Sequence, residues 1–383
     1  MADNLSLVPV SPQKAFSKPL SQNERMILEI IRRNNGIKRS AIASMTNLTQ
    51  PSVHRIIDSL IESSYLIFGD TVIEGRGKPS KGLQLNARAA YSIGISVNTD
   101  SASFCLCDLR CNVIHEEILD IPPTNRSRTL VLLKERVWRA MKSNDVPRDK
   151  LVGAGFAMAG FFVGRDHYFN APEPLADWSL VDLQSELAAL FEVPIWTENN
   201  CTTGAVGEAI LGAGLTYPTF GYLSFNYGFG AGVVVDGKPV FGSFRNAGEI
   251  SRIYTTEEGV HRPALGGLLS QLQQRGVVVE GIRDLRRNFD PEWPGVRKWV
   301  EEVSPFLNRA IDAMWAVIDP AAIVLGGELP KGLGGPIARG STNSALCSNE
   351  HPPEYPRILL SEIEGDPAVI GAALVPLKEL FFN

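Results

Sequence analysis

From Tyr91 onward the chain repeats one pattern, a short apolar run followed by a stretch of helical period, and this repetition constrains the fold more than any other feature. Ser92 to Val97 and Ser103 to Leu109 alternate like strands, and Leu130 to Met141 has helical spacing. Leu151 to Met158 is a continuous apolar run that stops at Ala159-Gly160, as expected for a strand covered on both faces. A second unit starts at Gly221 to Phe225, continues through Gly232 to Val235 and returns at Ala322 to Gly327. Strands alternating with helices predict an α/β fold with covered sheets. Two such units predict two lobes, with ligands gathering in the cleft at the carboxyl ends of the strands.

The chain is long enough for this and more. Its 383 residues, 44% hydrophobic and 21% charged, suffice for two or three domains with their own cores. No stretch approaches the roughly 18 apolar residues of a membrane span, and no charged segment leads into an apolar signal core at the N-terminus. The expectation is a cytoplasmic protein with no membrane contact. Cysteines at 105, 107, 111, 201 and 347 are odd in number and lack the spacing of a secreted disulfide framework, which fits reduced thiols.

Charge divides the chain. Residues 1–88 hold 12 Lys/Arg against 7 Asp/Glu, whereas residues 89–383 hold 25 against 35. A basic module on an acidic body is the arrangement expected where only the first part meets phosphate backbones.

Residues 1–20, with three prolines and no sustained apolar period, are expected to form a mobile tail. Met26, Ile27, Ile30 and Ile31 then recur on one helical face, and Asn34-Asn35-Gly36 supplies a stop. A short second helix fits Arg39 to Met45, Thr46-Asn47 makes a turn, and Thr49 is placed to cap a third helix with Pro51 in its first turn. Val53, Ile56, Ile57, Leu60 and Ile61 form the buried stripe of that helix, leaving Gln50, Ser52, His54, Arg55 and Ser59 on other faces. This is the helix-turn-helix order, in which the last helix enters the major groove. Tyr65 to Phe68 and Leu83 to Leu85 read as two strands flanking a basic wing, Gly75 to Lys81. Arg76 and Lys78, with Lys81, suit a narrow minor groove that attracts cations. A three-helix unit also fits a protein-docking domain and a basic strip also fits a solvated linker. Helix order, wing and charge together favour duplex DNA, with Gln50, Ser52 and Arg55 as the stronger base readers and His54 the weaker.

The segment order after residue 20 resembles the family of bacterial repressors, open reading frames and sugar kinases known as ROK, in its regulator branch with an N-terminal winged helix. The resemblance is carried by Gly94 to Val113, by Asn170-Ala171-Pro172 before Trp178, and by Val193 to Cys201 running into Gly204 to Glu208. Further carriers are Asn226 to Val233 with Asp236-Gly237, Asn246 to Ile250, Asp319-Pro320 before Ile323 to Gly327, and Gly365 to Ala368 before Ile370 to Ala373. It implies a winged helix over 21–88 followed by a two-lobed actin-like ATPase (sugar kinase-like) fold. The first lobe would span 89–200, completed by the C-terminal helix 367–383, and the second 201–366.

Departures from the family pattern carry the functional reading. Where the kinases have Glu-Asn-Asp-Ala, this chain has Glu198-Asn199-Asn200-Cys201, and the missing aspartate is the base of the kinase reaction. An amide has no usable basicity near neutral pH but still hydrogen-bonds a hydroxyl. The first phosphate turn, Asp-x-Gly-x-Thr in the kinases, reads Ser96, Asn98 and Asp100; the second has become Asn226-Tyr227-Gly228-Phe229-Gly230. Asp100 sets negative charge where phosphates would lie. The histidine and three cysteines of the family's structural zinc site have no counterparts, His261 being the nearest, and Cys105, Cys107 and Cys111 have the spacing of a packed cluster, so neither metal nor cofactor is expected.

For sugar recognition the resemblance points to Asn199, Asn200 and Glu249, with Arg252 replacing a histidine and Ser270 near a glutamate position. Arg252 suits an acidic effector or a charge pair with Glu249. The expectation is therefore a homo-oligomeric, dimeric regulator that binds operator DNA and senses a sugar or sugar derivative without catalysis. The alternatives are an ATP-dependent sugar kinase with an appended DNA-binding domain, and a regulator controlled by a protein partner.

Overall fold

A computed structural model describes residues 19–72, 80–119, 121–164, 168–340 and 354–383. Helix α1 (Gln22–Arg33) opens on a reciprocal cap: Ser21 Oγ accepts from the Glu24 amide, and the Ser21 amide donates to the Glu24 carboxylate at 2.7 Å. It ends at Asn34, and Gly36 takes the positive φ the reversal requires. The buried residues are Ile27, Leu28 and Ile31; Met26 and Ile30 lie at the margin of the expected face. Helix α2 (Arg39–Ser44) and helix α3 (Gln50–Glu62) follow. Thr49 stands at the N-cap of α3, but its hydroxyl donates to Ser52 Oγ at 3.0 Å instead of accepting a helix amide. Val53, Ile57 and Leu60 are buried as the stripe predicts, with Ile56 and Ile61 half-buried against them. Strands β1 (Leu66–Val72) and β2 (Ser80–Leu85) pair antiparallel and complete the winged helix. Of the expected wing, Arg76 and Lys78 lie outside the described residues, as does Cys347.

The body contains two five-stranded sheets of matching design. The first has β3 (Tyr91–Val97), β4 (Ala102–Asp108), β5 (Val113–Ile118), β6 (Leu151–Met158) and β9 (Ile195–Asn199), in the order β5-β4-β3-β6-β9. Strands β3, β4 and β5 are antiparallel neighbours, whereas β3, β6 and β9 run parallel. A small hairpin, β7 (Phe161–Val163) and β8 (Tyr168–Asn170), follows β6. Helices α4 (Arg126–Ser143) and α5 (Leu183–Phe191) cover one face, where Leu130, Leu133, Leu187 and Phe191 join the sheet's core. The other face carries the C-terminal helix α11 (Pro367–Phe381). Gly94 permits that approach, since a Cβ on it would stand 2.0 Å from the Val369 carbonyl oxygen.

The second sheet repeats the order as β12-β11-β10-β13-β14, from β10 (Phe220–Phe225), β11 (Phe229–Val235), β12 (Lys238–Pro239), β13 (Ala322–Gly327) and β14 (Arg357–Leu360). Helix α6 (Asn200–Leu211) lies on one face, with Ala205 and Ala209 against Phe220 and Tyr222. The remaining helices α7 (Leu265–Gln274), α8 (Ile282–Asn288), α9 (Val296–Ile318) and α10 (Lys331–Gly340) belong to this lobe, and Leu268, Leu285, Leu307 and Leu333 bury against its other face. Helices α6 and α11 thus sit back to back between the sheets. Among the described residues no helix is long and apolar enough to cross a membrane.

Cys105, Cys107 and Cys111 are all buried in one core cluster; the first two lie on β4, while Cys111 falls in the turn after it with φ of 67°. Burial pushes the Cys111 thiol up, beyond the range in which it forms a thiolate. Among the described residues no cluster of three metal-ligating side chains is present.

Candidate functional site

On the winged helix, the first turns of α3 present Gln50, His54 and Arg55 as exposed side chains, the first two four residues apart on one face. Ser52 is half-buried and its hydroxyl is engaged by Thr49. Asp58, exposed about two turns further along α3, is tied to Arg39 at 2.7 Å. Lys81 is exposed on β2.

The second constellation lies between the lobes, at the carboxyl ends of β3 and β10. Asn98 follows β3, Asn226 follows β10, and Asn200 is the first residue of α6. Asn98 Oδ1 accepts from Asn200 Nδ2 at 2.5 Å and from Asn226 Nδ2 at 3.2 Å, which leaves the buried Asn200 Oδ1 without a protein partner. Ser96 Oγ and Thr99 Oγ1 nearby in sequence are buried and unpartnered too. A buried oxygen without a donor costs about 1–3 kcal/mol, so this end of the cleft is set to receive hydroxyl donors.

Asn199 is used differently. Its Nδ2 donates to the Gly160 carbonyl and its Oδ1 caps α6 by accepting from the Cys201 amide at 2.7 Å, so both ends of its amide serve the frame. Glu249 is half-buried in the second lobe; burial pushes its carboxyl up, opposed by the Arg252 charge. Cys201 adjoins it: burial, then the Glu249 charge, push the thiol up to about 12. Arg252 lies 5.1 Å over the Phe161 ring, a cation–π contact, while its charge still acts on Glu249. Ser270 faces solvent on α7, its hydroxyl turned back to the Gly266 carbonyl, and does not join the site. His261 stacks on Phe306.

Several contacts that fix the cleft were not legible in the sequence. Asn246 clasps the Phe162 backbone across the lobes, accepting its amide at 2.8 Å and donating to its carbonyl at 2.9 Å. Arg245 crosses to Glu198, which is 3% exposed, while its guanidinium lies near the rings of Phe162 and Phe241. On the opposite side of the cleft Asp100 Oδ2 accepts from the Ile282 amide at 2.9 Å, at the start of α8. Arg286 on α8 then reaches Glu328 at 3.0 Å and the Gly365 carbonyl at 2.7 Å. Burial and the neighbouring Asp366 carboxylate push Glu328 up to about 7, with Arg286 opposing. Asp366 caps α11 and accepts from Ser103 Oγ at 3.2 Å. Asn98 and Asn226 had a usable signal: each is an amide standing where the family's phosphate turns hold glycine.

The sequence profile of the ROK family matches residues 92–263, and that of a winged helix-turn-helix DNA-binding unit matches residues 20–67. The chain carries a ROK-family domain behind a winged helix-turn-helix. Its ROK domain and winged helix together are 24% identical over 378 residues to "Uncharacterized protein y4fQ" of Sinorhizobium fredii, covering 98% of this chain and 94% of that one. The xylose repressor of Bacillus subtilis is 26% identical over 215 residues, and that match spans 56% of this chain and 55% of the repressor. A crystal structure described as a ROK family transcriptional regulator, homologue of the Escherichia coli Mlc protein, superimposes with a TM-score of 0.71 at 18% identity. It covers 94% of this chain and 96% of that one, and so fixes the fold: a winged helix followed by the two-lobed, actin-like body of the ROK proteins.

Proposed function

We propose that this protein is a DNA-binding transcriptional regulator whose interlobe cleft senses a sugar or sugar derivative without turning it over. The observation that carries the reading is the pairing, on one chain, of an open α3 face with a cleft whose buried Asn200 Oδ1 awaits a donor. Polyols present many hydroxyl donors, and an amide cluster answers them without charge. The similarity to the xylose repressor supports the same direction. Asn199 and Asn200 are the frame and the contact of that site, Glu249 and Arg252 its wall in the second lobe.

Catalysis is disfavoured by two features. Asn200 supplies an amide where a proton acceptor is required. The Asp100 carboxylate already occupies the first amide of α8, and a second anion there meets charge repulsion. On DNA, Gln50, Ser52, His54 and Arg55 are assigned to the major groove and Arg76, Lys78 and Lys81 to the backbone or minor groove. Two copies acting as a dimer place two such helices about one DNA turn apart, on paired half-sites. The test is a thermal-shift screen of the full-length protein against neutral pentoses and hexoses, N-acetylated amino sugars and sugar acids. A sugar that raises Tm and changes DNA affinity supports the reading; sugar-dependent ADP formation overturns it.

A further inference from the structure

The winged helix does not hang from the body by a linker alone. Its core residues Ile27, Ile31, Ile57 and Leu60 belong to one continuous buried cluster with Val206 and Ile210 of α6 and Leu374 and Phe381 of α11. Polar contacts reinforce this seam on α1. Arg32 donates to the Ile210 carbonyl at 2.9 Å, near the C-terminus of α6, where the helix dipole favours a cation. Glu29 grips the same guanidinium with two bonds of 2.9 Å, and the ring of Phe382 lies 5.6 Å from it. Arg25 donates to the carbonyls of Phe382 and Lys378 at the end of α11.

The other ends of the same two helices lie in the cleft. Helix α6 begins at Asn199 and Asn200, and α11 begins at Asp366, held by Ser103. Twelve helical residues span about 18 Å at about 1.5 Å each, and a hydrogen-bonded helix transmits an axial shift with little loss. The two helices pack backbone against backbone: a Cβ on Gly371 would stand 1.7 Å from the Thr203 carbonyl oxygen of α6.

We propose that α6 is the lever that carries the state of the cleft to the winged helix, with Arg32 as its coupling residue. The inference rests on the reading of the cleft as the effector site and names the regulation of that site. A hydroxyl that donates to Asn200 Oδ1 fills the acceptor that the Asn98–Asn200–Asn226 set leaves open and draws the first turn of α6 towards it. Ile210 moves with it, and Arg32, held to α1 by Glu29, reorients the recognition helix. Linkage then makes DNA affinity and effector affinity change by the same factor.

The experiment uses the full-length protein and a duplex that it selects from a random pool. Asn200→Ala alters the cleft end of the lever. Arg32→Met keeps an apolar stem beside Phe382 but removes the donor to Ile210, while Glu29 keeps its bond of 2.6 Å from Arg33. DNA affinity is measured by anisotropy for the wild type, both single variants and the double variant. The expected result is a change of about 5-fold on Asn200→Ala in the wild-type background, and almost none in the Arg32→Met background. The same fold-change in both backgrounds, or no effect of Asn200→Ala in the wild type, overturns the lever. Arg32→Lys repeats the cycle if Arg32→Met fails to fold, and is expected to retain part of the coupling. Sugar-induced Tm shifts separate the two ideas: Arg32→Met keeps the wild-type shift, whereas Asn200→Ala loses it. An Asn200→Ala protein that keeps its shift sinks the cleft reading, whatever the cycle shows.

Discussion

The carboxylate of Asp100, in the first lobe, accepts a hydrogen bond of 2.9 Å from the backbone amide of Ile282, in the second. A side chain of the protein itself thus fills a place at a helix start that favours anions, and it does so across the cleft. Asp100→Ala removes this strut. A hydrogen bond to a charged acceptor contributes about 1.5–3 kcal/mol, so the variant is expected to unfold at lower urea with an unchanged m-value. An unchanged midpoint shows that the strut contributes nothing.

The same contact bears on chemistry. Neither the wild type nor Asn200→Asp is expected to form ADP in the presence of any sugar that shifts Tm. Restoring a carboxylate at position 200 leaves Asp100 on α8 and sets the new acceptor against Asn98 Oδ1. A coupled assay for ADP, blanked with heat-killed protein, reads this directly; turnover by Asn200→Asp alone contradicts it.

Recognition of DNA divides between two kinds of contact. Arg55→Ala is expected to lower the preference for the selected duplex over random DNA by about 1–3 kcal/mol, because base-edge contacts carry discrimination. Lys81→Ala is expected to weaken both by a similar factor and to reduce the slope of log affinity against log salt by about 1. Competition anisotropy at several salt concentrations measures both quantities. Equal losses of discrimination in the two variants contradict the assignment.

Stability should depend on pH through Glu328. Its folded-state pKa is raised to about 7 by burial and by Asp366, above the ordinary glutamate range. A raised carboxyl binds its proton more tightly in the folded state, so its contribution is fully present below about pH 4.5 and is lost as pH rises through about 7. Glu328→Gln keeps the shape and removes the titration. Tm measured from pH 5 to 8 is expected to fall more steeply in the wild type than in the variant; parallel profiles contradict the buried cluster around Arg286.

What was legible in the sequence follows from range. The stripe of α3, the end of α1 at Asn34 and the strands β3, β4, β6, β10, β11 and β13 depend on periodicity and local stop signals, and they stand close to where those signals put them, whereas the edge strands β5, β9, β12 and β14 carried no such signal. Thr49 stands at the N-cap as its sequence position indicates, but its hydroxyl donates to Ser52 and accepts no helix amide. The interlobe contacts of Arg245, Asn246 and Asp100 join residues 47, 84 and 182 positions apart. No periodicity encodes such pairings. Asn200 was visible as an amide in a carboxylate's place, but its bond to Asn98, and the free acceptor this leaves, depend on two strand ends meeting in space.

The central claim, that sugar in the cleft changes the hold on DNA, is tested most directly with Glu249→Ala. Operator-length duplex is titrated with full-length protein by anisotropy, with and without the sugar that raises Tm most. The account predicts that sugar changes wild-type affinity by at least about 5-fold, and that Glu249→Ala binds DNA like the sugar-free wild type whether or not sugar is present. An undiminished sugar response in Glu249→Ala would contradict it and move the signal out of this cleft.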